Sequence, residues 1–174
     1  MQIIYPIIFL IVALKFVKWK NFNSYYPTIL FMIVGNLVYS FLFVDYPMWR
    51  FEHTFEEEIL PTRKSIDLVK TFTSFPLLTL LFLSYLPEEK NRVKKILYII
   101  FWTIVFGLIE KVSRMLGMIS YHHGWNLIWS LVFDFAMFSI LAIHYKRPIL
   151  AIIISMIFSF SLWKLFGINF TLIE

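Results

Sequence analysis

The chain has 174 residues, of which 60% are hydrophobic and only 16% charged, with a net charge of +5. An ordinary soluble domain carries about 25% charged residues, so a water-exposed globule is excluded; the apolar runs are continuous rather than alternating, which argues against a transmembrane β-barrel. With no cysteine there is no disulfide, thiolate nucleophile or cysteine–zinc site.

Six apolar runs follow in chain order, each near the ~20 residues a helix needs to cross the hydrocarbon layer. The first covers 3–17 and is followed by Lys18 and Lys20, with Lys15 inside its end. It lacks a basic lead-in and a small-x-small cleavage site, so it is expected to be a retained helix rather than a cleaved signal. A second run, 26–44, carries Gly35 and Asn36 near its middle. The connector 45–65 is the one sizeable extramembrane segment. Pro47 and Pro61 bracket an acidic, aromatic stretch, expected to form a short surface helix over 49–60. The third run, 66–86, is interrupted midway by Pro76, which removes a backbone donor and frees the carbonyl of Phe72. A fourth run spans 93–109. The fifth, 125–143, holds Asp134 near its centre, and the sixth covers 148–166. These predict an all-α, single-domain helical bundle of about six transmembrane helices. Five crossings, with the first run lying in the interface, is the alternative.

Charge gives this bundle a sidedness. The connectors after the first, third and fifth runs contain Lys15, Lys18, Lys20, Lys90, Arg92, Lys94, Lys95, Lys146 and Arg147. On the other side, positive charges are spread among Asp45, Glu52, Glu56, Glu57, Glu58 and Asp67. Under the positive-inside rule the tight basic connectors face the cytoplasm, which puts both termini outside. Trp19 at one end and Trp49, Trp125 and Trp163 at the other suit interfacial belts. Basic residues at helix ends match lipid headgroups, not nucleic acid. The expected partners are the bilayer and, beyond it, another membrane protein or a second copy.

Ionisable and amide side chains within a bilayer are costly, about 2.5–3.5 kcal/mol each at a helix centre. Asn36, Asp134 and the carbonyl freed at Phe72 by Pro76 are expected at similar depth, either as a ligand or proton site or as interhelical glue. A second polar group belongs to the outer face: Glu110 and Arg114, four apart, with His122 and His123, joined by His53 and Glu57 from the long connector. None of these histidines has the spacing of a zinc motif, and no G-x-S-x-G or P-loop is present. No metal or cofactor is called for.

Several strings carry a resemblance: Lys18-Trp19-Lys20-Asn21, Tyr25-Tyr26-Pro27-Thr28-Ile29-Leu30-Phe31, Gly35-Asn36-Leu37, Phe75-Pro76, Tyr121-His122-His123-Gly124-Trp125-Asn126, Met137-Phe138 and His144-Tyr145-Lys146-Arg147-Pro148. Over nearly its whole length the chain resembles a family of small uncharacterised multi-pass membrane proteins of Gram-positive spore-forming bacteria. The resemblance implies a bacterial cytoplasmic membrane and assigns no activity or site residue. The residues themselves favour small-solute or ion transport, or ligand binding, at the polar layer. A non-catalytic scaffold or subunit packing against a partner membrane protein is the alternative, and a lipid-directed enzyme lacks any motif.

Overall fold

The computed structural model describes residues 3–43, 46–52, 59–88 and 90–167. It is an all-α bundle. α1 (Ile4–Phe16) leads through a 3₁₀ turn at Trp19–Asn21 into α2 (Phe22–Leu42). Strand β1 (Trp49–Phe51) precedes α3 (Arg63–Phe72) and α4 (Ser74–Ser84), then α5 (Arg92–Met115), β2 (Ile119–Tyr121), α6 (Leu127–His144) and α7 (Pro148–Leu165). Five helical stretches are long and apolar enough to cross a membrane, the third being α3 and α4 together, Arg63–Ser84. The protein is therefore a membrane protein. Its many exposed Ile, Leu, Val and Phe side chains, from Ile11 and Leu14 to Met156 and Ile157, are those a lipid phase would cover.

α1 has 13 residues and so is only about 20 Å long. It nonetheless packs against α4. Tyr5 bonds Ser113 at 2.8 Å near one end, and the carbonyl of Phe16 accepts from Tyr85 at 2.8 Å at the other. That lengthwise packing differs from a helix lying flat in the interface.

Local sequence sets the helix boundaries. The Thr62 side chain accepts from the Ser65 N–H while the Ser65 hydroxyl accepts from the Thr62 N–H, a reciprocal cap that starts α3 three residues before the apolar run. Asn91 and Asn126 cap α5 and α6 through their side-chain oxygens. Pro148 opens α7 where a missing N–H costs nothing. Pro76 does not kink one continuous helix. The break falls earlier, at Thr73 (φ −124°, ψ −70°), and Pro76 lies in the first turn of α4. There its absent N–H is one of the donors a helix start leaves unpaired in any case.

Aromatic side chains fill the centre. Phe138 is fully buried, with Phe82, Phe106 and Trp102 rings 5.0, 5.3 and 5.8 Å away. Lipid is as apolar as these side chains, so close packing rather than escape from water holds them, with about 0.5–1.5 kcal/mol for each well-placed aromatic pair. At Gly107 α5 and α6 pack closely enough that a side chain would displace Leu131. A Cβ there would lie 2.4 Å from Leu131 Cδ2.

Residues 49–51, expected at the start of a surface helix, instead form a strand. Trp49, Arg50 and Phe51 pair antiparallel with Tyr121, Ser120 and Ile119. β-branched and aromatic residues favour this extended pairing over helix. The ribbon is extended by Glu52 N–H to Met118 O at 2.9 Å and His122 N–H to Met48 O at 2.8 Å. It ties the α2–α3 connector to the α5–α6 connector and caps one end of the bundle.

Candidate functional site

Two polar regions lie at the ribbon end: one within the bundle between α2 and α3, the other spread over the ribbon and the ends of α5 and α6.

In the first, the amide of Asn36 donates to Asp67 Oδ1 at 3.3 Å and to Thr71 Oγ1 at 2.7 Å. Ser40, one turn along α2, donates to Asp67 Oδ2. Thr71 donates to the Asp67 carbonyl at 2.7 Å, so its hydroxyl is oriented to accept from Asn36. The carboxylate thus collects donors from a neighbouring helix. Lys70 lies on the same face of α3, three residues after Asp67. It is 6% exposed, with Nζ 3.4 Å from the centroid of the Phe51 ring and 5.6 Å from that of Tyr5. Among the described residues no carboxylate comes within ion-pair distance of it. A lysine ammonium held over ring faces without an ion pair draws on their quadrupoles, while burial disfavours its charge. Phe51 also belongs to a small apolar cluster with Leu60 and Ile66, so the ribbon sits directly over the lysine.

This geometry corrects the expected pairing of Asn36 with Asp134. The amide is taken up by Asp67 and Thr71. Asp134, on α6, is 8% exposed and its Oδ2 has no hydrogen-bond partner. The Phe72 side chain is 57% exposed, and the helix breaks beside it at Thr73.

The outer region contains two carboxylate centres rather than one cluster. Glu52 accepts from Ser120 Oγ at 2.5 Å, Arg50 Nε at 2.9 Å and Arg63 Nε at 3.0 Å. Burial opposes its ionisation, but the hydrogen bonds from Ser120, Arg50 and Arg63 outweigh that and hold its pKa below the usual carboxylate range. Ser120 spends its proton on Glu52, so it accepts from His122 Nε2 at 2.7 Å. Partial burial, and then the nearby Arg50 charge, push the His122 imidazole below its ordinary pKa.

Glu110 is the other centre. Its Oε1 accepts from Tyr121 Oη at 2.6 Å and from Ser130 Oγ at 2.5 Å. Ser130 in turn accepts from the Trp125 indole at 2.9 Å. Trp125, expected in an interfacial belt, is only 6% exposed because its N–H serves this chain of donors. Glu110 and Arg114 do not pair with each other. Both hold Tyr121, Arg114 lying 4.4 Å over its ring. Burial and then the Glu110 contact raise the Tyr121 phenol to about 12, so it remains a donor. His123 turns away, at φ 54°, and stacks on Tyr46 at 3.5 Å. His53 and Glu57 lie outside the described residues. Among the described residues no group of three His, Cys, Asp or Glu side chains is placed to hold a metal.

Asp67, Ser40, Lys70 and Thr71 were not singled out from sequence. A signal existed: Thr62 and Ser65 mark an earlier helix start, which places Asp67, Lys70 and Thr71 at i, i+3 and i+4 on one face inside the span. No family model, curated protein or solved structure matches this chain.

Proposed function

We propose that this protein binds, or carries across the membrane, a small polar solute or ion at the site where α2 meets α3. The supporting observation is the burial of Lys70 beside Asp67, with Asn36 and Ser40 converging on the carboxylate. Glue between two helices needs donors and acceptors, and Asn36 with Thr71 supplies both. It does not need a buried lysine held over aromatic rings. Ionisable side chains inside a bundle that bear such a cost are functional candidates by default. The basic connectors support an orientation with the opposite end in the cytoplasm and both termini outside. A bacterial cytoplasmic membrane is the location the resemblance supports.

The test uses purified protein in proteoliposomes on a solid-supported membrane, challenged with steps of pH, potassium, sodium and acetate. A transient current in the parent, reduced at least tenfold in both Asp67→Asn and Lys70→Met, is the expected result. No current for any step, with both variants still folded, contradicts transport of these ions.

The second reading, a subunit or scaffold, has its own supporting observation. Ala151 is the one buried residue of α7, which rests mainly on α6 and offers most of its apolar surface outward. Co-purification of a stoichiometric membrane partner, lost when bulky polar residues replace Ile153 and Ile157, is the outcome that favours it.

A further inference from the structure

Asp134 remains unexplained by the α2–α3 site. It is more than nine-tenths buried, and Oδ2 has no donor. Ser130, one turn earlier on the same helix, is bonded to Glu110 across the α5–α6 contact, which brings the Glu110 carboxyl group to α6 one turn from Asp134. The other elements packed on α6 supply no counter-ion. α2 has no Lys, Arg, Asp or Glu. On α7 the one charged residue is Lys164, lying over the Phe160 ring at 5.2 Å. Arg114 of α5 is engaged on Tyr121, and Lys111 is exposed. On α6 itself, His144 is ten residues away and bonded to Thr28 at 3.0 Å.

The two carboxyl groups therefore differ in kind. Glu110 Oε1 accepts two hydroxyl protons, contacts that favour an ionised carboxylate. Asp134 has burial, a second carboxyl group nearby and, among the described residues, no cation, and an isolated carboxylate there is far more costly than a neutral acid. We propose that Glu110 and Asp134 are a proton-binding pair: Asp134 holds one proton inside the bundle, and Glu110, reaching the ribbon end through Tyr121, is the group with which it exchanges. In that exchange the proton leaves the Asp134 carboxyl and joins the Glu110 carboxylate, the pair keeping a single negative charge throughout. The site is independent of the Asp67 site and requires no identified substrate.

Dicyclohexylcarbodiimide reacts with protonated carboxyls in apolar surroundings. Full-length protein in lipid nanodiscs is labelled with it across a pH series, and the modified residue is located by peptide mass. The expected result is labelling at Asp134 that falls at least tenfold as the pH rises through deprotonation and is absent in Asp134→Asn. In Glu110→Gln the pH midpoint should move down by about one unit, because the like charge is gone. Asp134 unlabelled at every pH overturns the proposal, as does a midpoint unchanged in Glu110→Gln. Protection by sodium at constant pH overturns the proton as ligand in favour of a metal cation. If Glu110→Gln does not assemble, infrared difference spectra decide: a protonated carboxyl band in the parent that Asp134→Asn lacks supports the pair, and its absence from the parent overturns it.

Discussion

Asn36 and Asp134 were legible in the sequence because each interrupts a long apolar run, yet their partners were not. Asp67 and Lys70 fall within the third run, 66–86, but close to its edge, where a charge reads as part of the outer face and not as a site. Tertiary contact decided otherwise: Asp67 lies within reach of α2, and Asn36 bonds to it. Two stability predictions follow at this scale. Asn36→Leu leaves Asp67 and Thr71 without their amide donor and should cost about 1–3 kcal/mol, measured by thermal unfolding in detergent. Asp134→Leu removes a buried oxygen that has no partner, so its melting temperature should equal or exceed that of the parent. A large loss in Asp134→Leu would mean that Asp134 has donors after all.

At the scale of elements, the long helices could be read from composition, but the ribbon could not. A three-residue strand has too little sequence for a period, and its pairing joins residues about 70 positions apart. Glu52 and His122 make the ribbon acid-sensitive. The folded pKa of His122 lies below its unfolded value of about 6.5, so the unfolded form takes up the proton first and stability falls as pH drops below that value. Glu52 is also depressed; its contribution is present above the unfolded carboxylate pKa and is lost as pH falls through the lower folded value. Protection factors of the amides at 49–52 and 118–122, with the intrinsic pH dependence of exchange divided out, should therefore fall on acidification, in two steps. Glu52→Gln should abolish the lower one. The α5–α6 contact gives a separate prediction. Gly107→Leu collides with Leu131 and should destabilise by about 1–3 kcal/mol. Adding Leu131→Ala should restore much of that loss; thermal unfolding of the double variant checks it.

For the molecule as a whole, the charges and the fold agree on which connectors share an end. Lys18 N–H bonds to Ser84 Oγ, Tyr85 to the Phe16 carbonyl, and the Tyr25 ring packs at a tilt against Tyr145. The connectors after α1, α4 and α6 thus meet at the end opposite the ribbon. Reporter fusions at Asn21, Lys90 and Lys146 should all report cytoplasm; an external signal from any of them would overturn the orientation. On the function proposed, polar side chains between α2 and α3 form a site that a water-borne solute can reach. The chain has no cysteine, so a single Ser40→Cys substitution gives a unique probe beside Asp67. In sealed proteoliposomes, a small membrane-impermeant methanethiosulfonate should modify Cys at position 40 from the ribbon side, while Phe138→Cys, in the aromatic centre, stays unreactive. Modification at 40 that appears only after unfolding in detergent would contradict the account.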